Sequence, residues 1–191
     1  MPVPLHESFP LRPARVHEVC GAAATAFAAV ACARARGPLL WIRESWGGER
    51  LNPQGLAAFF DPARLLVAEC RDQTDSLASA EEALKDGAVP LVMIEITRAL
   101  NLREGRRLQL AAQAGGATGL CLIPEGMGSN AAETRWRCAP VHDPVYDPGE
   151  GADSTRMRWE IIKNKSGTLG VWDVRWDPEA HCLDVVSPPG E

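Results

Sequence analysis

No stretch of the chain approaches the ~18 consecutive apolar residues that a membrane-spanning helix requires, so the reading is of a protein outside the bilayer. Metal-type cysteine spacing is also missing. The six cysteines, Cys20, Cys32, Cys70, Cys121, Cys138 and Cys182, never approach CxxC, and most sit in apolar stretches, as buried reduced thiols do. The four histidines are scattered, so no metal site is expected. Basic residues are in deficit: 20 Lys and Arg against 25 Asp and Glu leave a net charge of −5. That balance argues against a protein that wraps nucleic acid electrostatically, although a small basic patch is still allowed. Residues 1–15 carry prolines, a His and a Glu where a secretory leader would place a basic end and an apolar run, so a cytoplasmic location is expected. What remains is ordinary globular composition: 46% hydrophobic and 24% charged over 191 residues, the size of one domain. Its six tryptophans suit either a core or interface anchors.

Apolar runs and their punctuation predict the elements. A strand over 16–20 turns through Gly21 into an Ala-rich helix over 22–35, which Gly37-Pro38 stops. The continuous apolar run 39–42 predicts a strand buried on both faces. Asn52-Pro53 reads as the cap and first turn of a short helix over 54–60, followed by a strand over 64–68. Thr74 or Asp75 is expected to cap a helix carrying Leu77, Ala80 and Leu84 and ending at Gly87. A strand over 89–96 tolerates Pro90 near its start. Asn101-Leu-Arg-Glu104 has the form of a capping box, opening a helix that stops at Gly115-Gly116, and a strand over 119–123 follows. Strands alternating with helices predict crossover units and a mainly parallel sheet covered on both faces. The last third changes character, with strands expected over 134–141, 157–164 and 170–176, and an exposed Pro-, Gly- and Asp-rich loop over 142–154.

A strand, a glycine and a helix in succession are where a phosphate-binding P-loop would sit. That loop needs G-x-x-x-x-G-K-[ST]: glycines so that N–H groups curl round phosphate, Lys for its oxygens and a hydroxyl for magnesium. Counting from Gly21, the second glycine position holds Ala26, the lysine position Phe27 and the hydroxyl position Ala28. Three of the four chemical groups are absent, so neither tight ATP binding nor a cofactor is expected. Gly21 also reads simply as a strand-to-helix turn in a chain never built for nucleotides.

Several stretches resemble the RecA core in order. Arg15-Val-His-Glu-Val-Cys-Gly21 resembles the strand entering its P-loop, and Leu40-Trp-Ile-Arg-Glu44 its second strand, with Glu44 at the catalytic glutamate. Asp86-Gly-Ala-Val-Pro-Leu-Val-Met-Ile-Glu95 resembles the Walker B strand, with Glu95 at the metal-side acid, and Ile161-Ile-Lys-Asn-Lys165 its V-K-N-K strand. Within that superfamily the wording Val16-His-Glu-Val, Arg106-Arg-Leu-Gln-Leu-Ala-Ala-Gln113, Ala131-Ala-Glu-Thr-Arg-Trp-Arg137 and Trp159-Glu-Ile-Ile-Lys-Asn-Lys165 is most similar to the ImuA family.

The resemblance implies an α/β, RecA-like three-layer fold: a mainly parallel twisted sheet, helices on both faces and a C-terminal antiparallel β extension. It divides the chain into a short extension over 1–14, a degenerate RecA-like domain over 15–177 and a tail over 178–191. It further implies a non-enzymatic accessory protein of SOS-induced, error-prone translesion DNA synthesis. The implied partners are an ImuB-like polymerase homologue, RecA and an error-prone DNA polymerase, with weak or indirect DNA contact and gathering at the nucleoid after damage. Two alternatives stand beside it: a SulA-like SOS inhibitor of cell division acting on FtsZ, and a RecA-like ATPase with an atypical P-loop. Given the short Pro-rich start, the long helix that RecA uses to polymerise is not expected here.

No catalytic or metal-binding residue is assigned. Gly21, Ala26, Phe27, Ala28, Glu44 and Glu95 form the degenerate nucleotide site, its carboxylates left without a phosphate to serve. Lys163 and Lys165 alternate along one strand and so share a face. They read either as contacts to RecA or another partner, or as a solvated edge-strand pair. Arg135, Trp136 and Arg137 stand where RecA's second DNA-contacting loop ends. They read as a DNA contact in which the ring stacks on a base, or as a core tryptophan between two outward arginines. The turn over 45–50 reads as a surface turn or a binding loop.

Overall fold

The computed structural model describes residues 4–47, 50–142 and 156–186. In chain order its elements are β1 Val16–Cys20, α1 Ala24–Arg34, β2 Leu39–Glu44, α2 Pro53–Ala57, β3 Leu65–Cys70, α3 Gln73–Asp86, β4 Leu91–Glu95 and α4 Leu102–Gly115. Then come β5 Thr118–Leu122, β6 Thr134–Pro140, β7 Arg156–Asn164, β8 Gly170–Asp177 and β9 Cys182–Val185. All nine strands join one sheet in the order β3-β2-β4-β5-β1-β6-β7-β8-β9. Strands β3 to β6 of that order run parallel, and β7, β8 and β9 extend the sheet antiparallel.

Alternation along the central strands divides the core between two faces, which is why their sequences are continuous apolar runs. Val19, Leu39, Trp41, Met93 and Leu120 face α1 and α2. Ile42, Val92, Ile94 and Cys121 face α3 and α4. The result is the three-layer α/β arrangement, with antiparallel strands at the C-terminal end. There the α1 side receives Trp136, Trp159, Trp172 and Trp176, so that with Trp41 five of the six tryptophans are core residues. The Phe27 ring lies 4.5 Å from Trp159 and 5.2 Å from Trp136, and Phe9 lies 5.0 Å from Trp159. Phe9 thus ties the N-terminal stretch to the core.

Local signals act as their chemistry requires. The Asn101 side chain accepts from Glu104 N–H and the Glu104 carboxylate accepts from Asn101 N–H, closing the capping box of α4. Asn52 caps α2 from one residue before Pro53. Helix α3 differs from expectation: its cap is Asp72, which accepts from Asp75 N–H at 2.9 Å, so Thr74 and Asp75 fall inside the helix. β9 arises within the stretch expected to be a tail. The loop over 142–154 falls, apart from His142, outside the described residues, as do Gly48 and Glu49 of the turn over 45–50. All six cysteines are free thiols, five of them buried. Among the described residues no helix is long and apolar enough to cross a membrane.

Candidate functional site: a closed phosphate turn and a clamped loop

The carboxyl ends of the parallel strands are where an open α/β sheet receives ligands. At that edge Gly21 leaves β1 with φ +96°, and a Cβ built there would lie 2.3 Å from the Cys138 carbonyl oxygen of β6. Only glycine allows this approach. It has a chemical consequence: Ala23 N–H donates to that same carbonyl at 3.1 Å, and Ala24 N–H donates to Gly21 O at 3.0 Å. Donors that a P-loop would aim at phosphate are satisfied by the chain itself. Phe27 and Ala28, in the first turns of α1, are fully buried, and Ala26 is half-buried. The lysine position is therefore filled by an aromatic ring facing the core, with no route to a ligand.

Beside the turn lies an open cleft of about 640 Å³ between α1, α2 and the ends of β2, β4 and β5, its lining including Ala22, Ala26, Leu56, Phe59, Arg43 and Glu95. The two carboxylates expected here are already engaged. Glu95 accepts from Trp41 Nε1 at 2.8 Å and stands 3.7 Å from Arg43 Nε, while the buried Glu44 accepts from Thr97 Oγ1 at 3.1 Å. The lining holds no lysine; its cations are Arg43, which stands beside Glu95, and Arg50, set among aliphatic and aromatic side chains.

The segment between β5 and β6 is held from three sides. Glu18 in β1, almost fully buried, accepts from Ser129 N–H and from Arg135 Nε, both at 2.7 Å, and Arg135 Nη2 donates to Ser129 O at 2.8 Å. Lys163 Nζ donates to the carbonyls of Ser129, Asn130 and Ala132, and Lys165 Nζ donates to Ala131 O at 2.6 Å. Burial and the neighbouring Lys165 and Arg135 charges hold the Lys163 amine below its ordinary pKa. The strand pair shares one face, as its alternation requires, and both ammonium groups cover a loop of the same chain. A contact with a partner's anion requires those bonds to be released. Arg135, Trp136 and Arg137 separate in role. Arg135 is tied to Glu18. Trp136 has no exposed ring on which a base could stack, its Nε1 donating to Thr134 Oγ1 at 2.9 Å. Arg137 alone of the three is half-exposed, 3.1 Å from Glu160.

His17 and Glu18 fall in the Val16-His-Glu-Val stretch, but no sequence pattern assigns their partners. His17 Nε2 lies 2.9 Å from the Arg12 carbonyl, which only accepts, so Nε2 carries the proton and Nδ1 accepts from the Thr134 hydroxyl at 2.6 Å. Burial pushes its pKa down to about 4, against the pull of the Arg12 carbonyl and the Glu133 charge.

This geometry defines a class: a RecA-like fold whose first strand-to-helix turn is closed by its own backbone. The solved structure titled "Crystal structure of the RadB recombinase" shares the fold, with a TM-score of 0.65 and 13% identity over 92% of each chain. At the level of sequence the chain is similar to two curated relatives, both named Protein ImuA, from Caulobacter vibrioides strains NA1000 / CB15N and ATCC 19089 / CIP 103742 / CB 15. Each is 28% identical over 159 residues, covering 78% of this chain and 64% of the relative. The chain thus spans less than two thirds of the length of the curated relatives it matches. No family model matches it.

Proposed function

We infer that this chain is a non-enzymatic adaptor of damage-induced, error-prone translesion DNA synthesis, joining an ImuB-like polymerase homologue, RecA and an error-prone polymerase. The similarity to Protein ImuA supports the process. The closed turn supports the absence of chemistry: Ala23 N–H is donated to Cys138 O, and Phe27 is buried where a P-loop keeps its lysine. A domain that holds the RecA-like shape without gripping a nucleotide retains surfaces as its means of action. DNA contact is indirect in this reading, because the segment matching RecA's second DNA loop has its carbonyls and its nearest arginine bound internally. The test is reconstitution with purified components: stoichiometric binding to the ImuB-like protein or to RecA, with no ATP turnover, is the expected outcome. Binding to FtsZ instead assigns the chain to division control, and ATP hydrolysis overturns the adaptor reading.

A further inference from the structure

Helix α4 turns Gly105, Leu108, Ala111 and Ala112 inward. Its opposite side carries Leu102, Arg103, Arg106, Leu110 and Gln113, all exposed. Leu102 is 50% and Leu110 65% exposed, two turns apart with Arg106 midway, so the three form one ridge at i, i+4 and i+8. The two leucines and the arginines thus line one side of the helix, an amphipathic stripe turned to solvent. Its charges are equally one-sided. Arg98 is paired with Glu104 at 2.7 Å and Arg107 with Glu81 at 2.6 Å, whereas Arg103 and Arg106 have no partner among the described residues. No carboxylate stands on this ridge, in a chain whose net charge is −5.

The ridge is rigidly seated. A Cβ on Gly105 would lie 2.5 Å from Ser129 Oγ and 2.8 Å from Ala131 Cβ, so α4 lies directly on the clamped loop. Gln109 exchanges hydrogen bonds of 3.2 and 2.8 Å with the Val16 backbone. A preorganised face loses little freedom on binding.

We propose that this α4 ridge is a docking surface for an acidic, amphipathic helical segment of another protein, its apolar side chains covering Leu102 and Leu110 and its carboxylates meeting Arg103 and Arg106. A second copy of this chain is the wrong occupant, because two-fold pairing of the ridge sets arginine against arginine. Nucleic acid would use the arginines and leave both leucines in water. Helix-on-helix recognition satisfies both sets at once. The surface goes beyond the adaptor reading by naming the chemistry of one partner, and it does not depend on that partner acting at damaged DNA.

The test is fluorescence anisotropy on the full chain with labelled helical peptides of about 20 residues. One pairs leucines with glutamates, one leucines with lysines, one serines with glutamates, and a single-stranded oligonucleotide completes the set. The Leu/Glu peptide is expected to bind saturably in the micromolar range, with the other two peptides at least about 10-fold weaker. Leu102→Ser/Leu110→Ser and Arg103→Glu/Arg106→Glu should each weaken it by about 10-fold or more at unchanged circular dichroism, the charge reversal moving preference to the Leu/Lys peptide. Absence of saturable Leu/Glu binding below millimolar overturns the proposal. So does oligonucleotide binding that needs the arginines but not the leucines. Failure here with intact binding to the ImuB-like protein removes the surface and leaves the adaptor reading standing.

Discussion

Acidification from pH 7 to pH 5 should destabilise this protein through a single side chain, His17. Its imidazole is 1% exposed and held neutral between the Arg12 carbonyl and the Thr134 hydroxyl, with a pKa of about 4 against 6.5 when unfolded. Because the folded value is the lower one, the unfolded chain binds the extra proton across this window. The contribution is therefore complete above pH 6.5 and fades as pH falls through 4. A shift from 6.5 to about 4 corresponds to roughly 3 kcal/mol in full, of which about 2 kcal/mol disappears between pH 7 and pH 5. Other acid-sensitive groups act later. Glu133, which burial would raise but which the Ser166 hydroxyl, Arg12 and Arg15 hold low, titrates from below its ordinary 4.5. Urea unfolding followed by tryptophan fluorescence at pH 7, 6 and 5 measures the slope. His17→Gln should be less stable at pH 7 by about 1–3 kcal/mol for its lost hydrogen bonds, yet nearly flat from pH 7 to pH 5. A wild-type protein whose stability holds within about 0.5 kcal/mol over that range, or a variant with the wild-type slope, refutes the reasoning.

Calorimetry with magnesium and ATP should detect no binding tighter than about millimolar, roughly 4 kcal/mol, and a micromolar constant would contradict the closed turn. Gly21→Ala should cost about 2 kcal/mol or more in chemical unfolding, since its φ of +96° and the Cys138 carbonyl both oppose a side chain. Asp173→Ala should cost about 3–5 kcal/mol, because it leaves the buried Arg156 guanidinium without the carboxylate 3.4 Å away. Lys163→Ala/Lys165→Ala should speed amide exchange across residues 129–132 while the sheet keeps its protection; unchanged exchange there would show that the lysines do not hold the loop.

Much of the fold was legible because its signals are local. β2 opens with the apolar run 39–42 and β4 with 91–94, as strands buried on both faces do, and the Asn101 capping box needs only four consecutive residues. Where local signals compete, legibility fails: Asp72, Thr74 and Asp75 all have capping side chains, and only the path of the chain out of β3 selects Asp72. β9 is short and ends in an Asp and an exposed Val, a pattern that reads as tail until β8 is beside it. In the site, the absence of P-loop groups was readable by counting from Gly21. What stands in their place was not. Glu18 meets Arg135 across 117 residues, and Lys163 spends its donors on backbone carbonyls, which no side-chain motif records.

The closed turn would not be opened by substituting P-loop residues alone. An empty P-loop keeps its N–H groups on water until phosphate arrives, whereas here the Ala23 donor and the Cys138 acceptor satisfy each other as β6 crosses the turn at the one residue without a Cβ. Restoring glycine, lysine and threonine at Ala26, Phe27 and Ala28 leaves that carbonyl in place. It also removes Phe27 from between Phe9, Trp136 and Trp159, at a cost of about 3–5 kcal/mol for an aromatic core residue, and forces an ammonium group into the space. The aromatic core and the closed turn are thus one structure seen from two sides, and a nucleotide could enter the turn only if β6 withdrew from Gly21.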